Sequence, residues 1–348
     1  MNRERLSKIL KNFGKARVLL VGDICLDKWC YYDPQAGSES RETGMTIHAI
    51  VRKDLTPGGG GNTLWNLADA GAREVRALGL IGDDGEGYDL KKALLAKDIN
   101  VDFLFQYPGF QTYTFTKILN ADTGIEDVPR VDFINRAVVT PEIEAEMLAA
   151  LDKVLPLVDA VVVADYSESG SESLFTDALV DKLSALAAAN PEKVFVVDSR
   201  ERISHYHHMI LKPNEVEMRV ALEDLTGEKL HLGAEELVEA VGRLGEELRV
   251  RMGGDEPLYV TLGEKGVMLF EGGEPDLIHT APVAEPVDIC GAGDTFISAL
   301  TLALWATQKL DGKPDYRAAA EIGNLAASIT IMKKGTGTAT PEEMLHAV

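Results

Sequence analysis

The chain of 348 residues has only three cysteines, no excess of basic residues and no long apolar run. An odd and sparse set of cysteines does not suit the disulfide framework of a small secreted domain. Acidic residues outnumber basic ones by 56 to 35, for a net charge of -21, whereas a nonspecific nucleic-acid binder needs a basic face. The N-terminal residues lack an apolar signal core, and no apolar stretch reaches the roughly 20 residues of a membrane span. We therefore expect a soluble cytoplasmic protein with neither nucleic acid nor a membrane as partner.

Hydrophobic residues make up 45% of the chain, so a sizeable core is available. Apolar segments typical of buried strands alternate with amphipathic segments typical of helices. The strands are expected at 17–21, 75–81, 160–164 and 194–197, and the main helices at 85–97, 171–189, 234–251, 291–309 and 316–333. This alternation predicts an α/β fold with a mostly parallel sheet covered on both faces. Ligands of such sheets bind at the carboxyl ends of the strands, so the polar loops 22–23, 165–167 and 198–200 are expected to share one crevice.

Two stretches break this alternation. Residues 29–56 are polar with scattered β-formers, and residues 101–119 carry six aromatic residues. Strands that project from the core as a lid or an interface explain both better than stacking of nucleic-acid bases, because basic residues are not interleaved with the aromatic ones. We expect a single domain over 1–348 with these two lid segments inserted in it.

The segment 288–295 carries the clearest chemistry. Gly291, Ala292 and Gly293 are small residues at the start of a helical pattern, where backbone N–H groups and the helix dipole can hold an anion. Asp294 follows them, and a carboxylate beside an anion site suits the removal of a proton from a hydroxyl that receives a phosphoryl group. The alternative is that Asp294 only stabilises the helix dipole.

A second glycine-rich segment precedes Asn62. Four successive glycines, 58–61, are costly in conformational entropy, so close approach of a ligand explains them better than a plain turn. Asn62 could merely cap the helix that follows. Asp23 and Asp27 lie after the first strand, where carboxylates suit the paired hydroxyls of a polyol, although either could be a solvated loop acid.

Five segments in this order resemble the ribokinase (PfkB) family of sugar kinases, and the resemblance extends from about residue 18 to residue 341. The segments are 22–27, 57–62, 212–217, 261–266 and 288–295. The resemblance implies a ribokinase-like three-layer α/β sandwich with a small β lid, a homodimer formed through that lid, and an ATP-dependent carbohydrate kinase.

The resemblance also implies roles for individual residues. Asp294 would be the catalytic base beside an anion hole of Gly291, Ala292 and Gly293. Substrate would bind to Asp23, Asp27, Gly58, Gly59 and Asn62. ATP would bind to Asn214, Thr261, Gly263, Lys265, Gly266 and Asn324. Asn214 and Glu217 would hold Mg²⁺ through water, and Asp288 an activating monovalent cation such as K⁺. From spacing alone, Asn214 and Glu217 fit a helix cap equally well.

Within the family, the chain is similar to heptose-phosphate kinases of the lipopolysaccharide pathway. The similar segments include Lys117, Arg130 to Asp132, and residues 335–338. Lys117 and Arg130 would then bind an anionic group of the substrate, although a surface ion pair of Arg130 with Asp132 is an equal alternative. Cys290 stands where the family usually has Thr, and we expect a small buried side chain there.

The residues also allow other functions. A ribose or nucleoside kinase of the same family would share these motifs, and a noncatalytic sugar or nucleotide sensor could share the fold. A sensor does not need the base Asp294. A dehydrogenase is disfavoured because no Gly-x-Gly-x-x-Gly follows the first strand. The cluster of His205, His207 and His208 lacks the spacing and partners of a zinc site.

Overall fold

Two β-sheets contain the strands of the protein. The computed structural model describes residues 1–348 except 167–172, 228, 230–232, 282 and 284. The larger sheet has nine strands in the spatial order β13 (Asp276–Ile278), β12 (Val267–Phe270), β11 (Leu258–Thr261), β10 (Ile210–Leu211), β9 (Val194–Ser199), β8 (Ala160–Asp165), β1 (Arg17–Gly22), β4 (Glu74–Gly82) and β5 (Asn100–Tyr107). Neighbours from β5 to β11 are parallel, and β12 and β13 are antiparallel additions. The expected mostly parallel sheet is confirmed.

Helices cover both faces of the larger sheet. One face carries α1 (Arg3–Phe13), α2 (Gly60–Asp69), α3 (Gly85–Leu95), α8 (Ala292–Asp311), α9 (Tyr316–Thr330) and α10 (Pro341–His346). The other carries α4 (Pro141–Val154), α5 (Asp177–Ala189), α6 (Glu215–Thr226) and α7 (Ala234–Gly253). Along β1, Val18 and Leu20 pack on the first set while Leu19 and Val21 pack on the second, as the two-residue period of a strand requires. The three layers match the ribokinase-like sandwich that the sequence implied.

The smaller sheet has four strands and lies beside the carboxyl edge of the larger one. Its order is β3 (Thr46–Gly59), β2 (Ile24–Glu39), β6 (Thr114–Asn120) and β7 (Val128–Phe133). We call this sheet the lid. The segment expected as a lid over 101–119 divides between the sheets, because β5 pairs with β4 and only β6 belongs to the lid. Phe103 and Phe105 on β5 pack against the core on the α4–α7 face. The sequence pattern of aromatic residues did not distinguish this core strand from a lid strand.

The carboxyl ends of the central parallel strands bring several polar residues together. Asp23 follows β1, Tyr166 follows β8, Asp198 lies near the end of β9 and Lys212 follows β10. These strands are neighbours, so the loops expected to share one crevice do so where they are described; residue 167 lies outside the described residues. A Cβ at Gly22 would lie 2.6 Å from the carbonyl oxygen of Ala164, so the close approach of β1 and β8 requires glycine there. Among the described residues, no helix combines the length and apolarity that crossing a membrane demands.

Candidate active site

A cavity of about 920 Å³ lies between the carboxyl edge of the larger sheet and the lid. Many of the residues singled out from the sequence line it. They are Asp23, Asp27, Gly59, Lys117, Arg130, Asn214, Glu217, Gly291, Ala292, Gly293 and Asp294. The structure therefore brings the expected base, the anion hole, the sugar-binding acids and Glu217 to one place, although they come from distant parts of the chain.

Asp294 lies in the first turn of α8 and accepts three hydrogen bonds from side chains. Nδ2 of Asn62 donates to Oδ2 at 2.8 Å, and the hydroxyls of Thr63 and Tyr166 each donate to Oδ1 at 3.1 Å. Burial raises the pKa of Asp294 to about 6, and the Asp198 carboxylate raises it too, while the three donors oppose the shift. A carboxylate with a pKa near 6 is ionised at neutral pH and is a stronger base than an ordinary aspartate.

The N-terminus of α8 points into the same space. Gly291 precedes the helix with φ of 80°, a left-handed conformation that favours glycine, and no side chain caps the helix. A Cβ at Gly291 would lie 2.5 Å from Nδ2 of Asn62. The backbone N–H groups of Gly293 and Asp294 have no hydrogen-bond partner among the described residues. This arrangement can bind an anion beside the carboxylate of Asp294.

A buried ion pair lies next to Asp294. Lys212 Nζ is 3.1 Å from Oδ2 of Asp198, and both side chains are at most 7% exposed. Oδ1 of Asp198 has no hydrogen-bond partner within the described residues. Burial and then the Asp198 carboxylate raise the pKa of Glu217 to about 7. Burial lowers the pKa of Lys212, but the Asp198 and Glu217 carboxylates outweigh it and keep Lys212 charged.

Asn214 and Glu217 form a helix cap, the alternative that the sequence left open. Oδ1 of Asn214 accepts from the N–H groups of Val216 and Glu217 at 2.8 and 2.9 Å, and Oε2 of Glu217 accepts from the Asn214 N–H at 2.8 Å. The amide oxygen of Asn214 is thus already used. The other carboxylate oxygen of Glu217 lies outside the cap, and burial, followed by the Asp198 carboxylate, raises the pKa of this group. Within the described residues, no cluster of three or more His, Cys, Asp or Glu side chains forms a ready-made metal site.

Two acidic residues, from β2 and from the loop before it, also line the cavity. Oδ2 of Asp23 accepts the backbone N–H of Tyr166 at 2.9 Å. Burial, and then the charge of Asp294, raise the pKa of Asp27 to about 6. A Cβ at Gly58 would lie 2.6 Å from Oδ2 of Asp27, and Gly59 has φ of 54°. These glycines let β3 approach Asp27 closely, so Gly58 supports the carboxylate without lining the cavity.

Four basic side chains also line the cavity, in a chain with strong negative charge. Arg130 pairs with Asp132 at 2.7 Å and lies over the ring of Phe115, so the ion pair that the sequence allowed as an alternative is present. Lys117, Arg136 and Arg200 have no carboxylate within ion-pair distance among the described residues. Arg136 and Arg200 were not singled out from the sequence. Cations without an ion-pair partner among the described residues favour a ligand with negative charge.

Most residues expected to bind the nucleotide lie outside the cavity lining. Thr261 is bridged to Asn214 at the end of β11, and Gly263, Lys265 and Gly266 form the turn between β11 and β12. Gly266 has φ of 103°, and a Cβ there would lie 2.2 Å from the carbonyl oxygen of Ile278. Nδ2 of Asn324 donates to that same carbonyl at 3.0 Å, so its amide holds β13 in place.

The loop before α8 has an exposed thiol. Cys290 is exposed, so the expectation of a buried side chain is wrong, because the loop turns its side chain toward the cavity. Although the residue is exposed, partial desolvation of its thiol and a hydrogen bond to Asp288 raise the pKa of Cys290, which disfavours a reactive thiolate. Burial raises the pKa of Asp288, but N–H donors of Cys290 and Gly335 outweigh it and lower the value. Asp288 thus closes this loop.

Several residues in and around the site carry a weaker sequence signal than the motifs. Tyr166 follows β8, Asp198 lies near the end of β9, and its ion-pair partner Lys212 precedes Asn214 by two residues, yet none belongs to a glycine-rich signature. Thr63 adjoins Asn62 and shares its contact with Asp294. A polar residue directly after a buried parallel strand was the signal available for the first two.

Comparisons with known proteins bear on the family of the chain. Residues 16–343 match the profile of the pfkB family carbohydrate kinases. The chain is 30% identical, over 97% of its length, to bifunctional protein HldE of Aeromonas salmonicida, and 28% identical, over its full length, to HldE of Trichlorobacter lovleyi. It spans 65% and 66% of the lengths of those two relatives.

Solved structures resemble the fold. Ribokinase from Thermotoga maritima has a TM-score of 0.65 at 20% identity, with 95% of this chain and 99% of that one covered. Phosphofructokinase-2 from Escherichia coli in complex with potassium has a TM-score of 0.67 at 17% identity, with 94% and 97% covered. At such identities these likenesses establish the architecture and leave the substrate open.

Proposed function

The chain belongs to the pfkB family of carbohydrate kinases, and from that premise we propose that it transfers the γ-phosphoryl group of ATP to a hydroxyl of a phosphorylated sugar. The observation that carries this proposal is the position of Asp294. Its carboxylate lies at the N-terminus of α8, next to two backbone N–H groups that have no partner among the described residues. A base for the attacking hydroxyl and donors for the moving phosphoryl group are the two requirements of the reaction.

The step follows from these contacts. The O–H bond of the acceptor breaks as its proton passes to Asp294, while the acceptor oxygen bonds to the γ-phosphorus of ATP and the bond to ADP breaks. The N–H groups of Gly293 and Asp294 stabilise negative charge on the transferring oxygens, as does the positive end of α8. Asn62 and Thr63 fix the carboxylate that receives the proton.

Basic side chains support a phosphorylated acceptor over a neutral sugar. Lys117 and Arg136 reach the cavity from the lid and from the segment after β7, and neither has an ion-pair partner among the described residues. The similarity to heptose-phosphate kinases and to HldE proteins favours a heptose phosphate. Sugar hydroxyls would bind between Asp23, Asp27 and Gly59.

Cations complete the proposed site. Mg²⁺ supplies charge neutralisation for the phosphates of ATP, and Glu217 would hold it through ordered water. Arg200 lies near Glu217 in the cavity lining, and its charge lowers the pKa of Glu217. The loop closed by Asp288 is the proposed position of an activating K⁺. ATP would extend from there toward Thr261, the turn 263–266 and Asn324.

The lid is the proposed interface of a homodimer. Exposed apolar side chains lie along β3 and the turn before it: Met45, Ile47, Ile50 and Val51, each at least 44% exposed. Apolar groups on an edge strand favour pairing with a second sheet.

The test is ADP release from ATP and Mg²⁺ with a panel of acceptors: ribose, fructose, fructose 6-phosphate, a nucleoside and a heptose 7-phosphate. We expect turnover with a phosphorylated member and its loss in Asp294→Asn, by at least the 10²–10⁴-fold that a general base contributes. Asp311→Asn, at the other end of α8 and outside the cavity lining, is the matched control and should keep turnover. Unchanged turnover in Asp294→Asn would refute the assignment of the base, and turnover with ribose or the nucleoside alone would refute the phosphorylated acceptor.

A further inference from the structure

The hydroxyl of Tyr166 lies between two carboxylates. Its oxygen is 3.1 Å from Oδ1 of Asp294 and 3.2 Å from Oδ2 of Asp198. The backbone N–H of Tyr166 donates to Asp23 at 2.9 Å, and the guanidinium of Arg200 lies 5.5 Å from the centre of the ring. The backbone of Tyr166 is therefore fixed to Asp23 and the cation of Arg200 lies near its ring, while its hydroxyl is directed at the two acids.

One phenol proton cannot serve both carboxylates at once. When both are ionised, one of the two contacts joins oxygens with no hydrogen between them. The charge of Asp198 is offset by the ammonium of Lys212 at 3.1 Å. Asp294 receives only uncharged donors, from Asn62 and Thr63, besides Tyr166. The proton of Tyr166 therefore stabilises ionised Asp294 more than it stabilises Asp198.

We propose that Tyr166 is a positioning residue for the base: its hydroxyl donates to ionised Asp294 and turns to Asp198 when Asp294 takes the proton of the acceptor. The inference rests on the proposed function. In the second arrangement, the new O–H of Asp294 donates to the Tyr166 oxygen, which donates to Asp198 in turn. The acceptor O–H bond breaks and an Asp294 O–H bond forms. The O–H bond of Tyr166 stays intact, because burial and then the charges of Asp198 and Asp294 hold the pKa of this phenol well above its usual value.

Other charged groups surround this chain of hydrogen bonds. Burial sets the largest shift of the Asp294 pKa, and Asp198 adds to it. The charges of Asp198, Asp294 and Glu217 act on the phenol of Tyr166, and Lys212 pairs with Asp198. The charges of Asp23, Asp27 and Arg200 act on the thiol of Cys25, and those of Lys117 and Arg130 act on Asp27. A variant that deletes only the hydroxyl of Tyr166 leaves all of these charges in place, so its effect on Asp294 isolates the hydrogen bond.

The test compares two matched substitutions, Tyr166→Phe and Tyr206→Phe. Tyr206 is also buried and donates to an aspartate, Asp165, at 2.9 Å, but it does not contact Asp294. The pKa of Asp294 is measured from ¹³C-carboxyl resonances of labelled aspartate, with Asp294→Asn identifying the resonance. We expect Tyr166→Phe to raise this pKa by about one unit, the worth of one hydrogen bond to an ionised group, and Tyr206→Phe to leave it unchanged.

A second measurement needs no variant. In the unsubstituted protein, the ¹³Cζ resonance of Tyr166 should move with the same midpoint as the Asp294 carboxyl, because the hydroxyl changes its acceptor when Asp294 is protonated. An Asp294 pKa unaffected by Tyr166→Phe, or a Tyr166 resonance indifferent to the Asp294 titration, would overturn the proposal. These spectra do not require turnover. A protein silent with every acceptor would count against the proposed function, and the titration would still decide the role of Tyr166.

The kinetic consequence separates positioning from packing. The acid limb of kcat/KM should move to higher pH in Tyr166→Phe by the same amount as the measured pKa, while KM for the acceptor stays within about twofold. A fall in kcat that is equal at every pH would mean that Tyr166 only packs against the cavity, and this would contradict the inference.

Discussion

Nδ2 of Asn62 lies 2.8 Å from Oδ2 of Asp294, so the first turn of α2 is joined to the first turn of α8. Each turn follows a glycine in the left-handed region, Gly59 before α2 and Gly291 before α8. Thr295 in α8 donates to Asn66 in α2 at 2.8 Å and continues the contact one turn below. The two glycine-rich segments thus bring the N-termini of α2 and α8 together at the carboxylate of Asp294.

Turnover should fall on the acid side of neutrality. Burial raises the pKa of Asp294 to about 6, and only its ionised form can accept the proton of the acceptor. We expect kcat/KM to fall about tenfold per pH unit below pH 6. A profile measured from pH 4.5 to 8 with the preferred acceptor checks this. Full activity at pH 4.5 would contradict a base with a raised pKa.

The raised pKa of Asp294 also makes the stability of the fold depend on pH. This dependence runs opposite to that of turnover, because the contribution of Asp294 to stability is greatest in acid. The pKa of Asp294 is about 6 in the folded protein and about 4 when unfolded. The folded state therefore binds the proton more tightly, and the stability from this group is present below pH 4 and lost as pH rises through 6. Asp294→Asn should accordingly unfold at a higher temperature than the unsubstituted protein at pH 8, with a smaller difference at pH 5.

Asp311→Asn should change the melting temperature in the opposite direction to Asp294→Asn. The hydrogen bond from Arg5 lowers the pKa of Asp311, so its stabilisation exists above the unfolded pKa and disappears in acid. This variant should melt slightly lower than the unsubstituted protein at pH 8. If both variants shifted in the same direction, the electrostatic explanation would be wrong.

The sequence predicted local motifs better than contacts between distant segments. The segments 57–62 and 288–295 each contain their glycines and their polar side chain within eight residues, so their chemistry was readable without the fold. Tyr166 and Arg136 have no such signature. Their positions in the cavity depend on how β8 and β7 end relative to α8, which is decided by packing across the sheets.

The strand β5 shows a related limit. Its pattern of aromatic residues suits a lid strand and an edge strand of the larger sheet equally well. The parallel pairing of β5 with β4 shows that it is an edge strand of the larger sheet. Asn214 and Glu217 show the reverse, since the spacing allowed both a cap and a cation site. The structure shows the cap, which uses one of the two carboxylate oxygens of Glu217, and the cation site stays a prediction.

A phosphorylated acceptor should depend more on Arg136 than on Arg130. Arg130 already pairs with Asp132, whereas Arg136 has no ion-pair partner among the described residues. Arg136→Gln should raise KM for the phosphorylated acceptor about 10–100-fold, the worth of one hydrogen bond to a charged group, and leave KM for ATP unchanged. Arg130→Gln should have a smaller effect. Arg243→Gln, on the exposed side of α7, is the control, and equal effects of all three would contradict an acceptor phosphate at Arg136.

Pairing of two lids should depend on Val51, which is 60% exposed on the edge strand β3. A charge there would lie against the apolar side chains of the second lid, where burying an unpaired ammonium is unfavourable. We expect light scattering after size-exclusion chromatography to give twice the mass of the chain, and Val51→Lys to give the mass of a single chain. Val250→Lys is the matched control, because Val250 is 58% exposed on α7 and outside the lid. A single-chain mass for the unsubstituted protein would contradict the dimer. Dissociation by Val250→Lys but not by Val51→Lys would mean that the interface lies outside the lid.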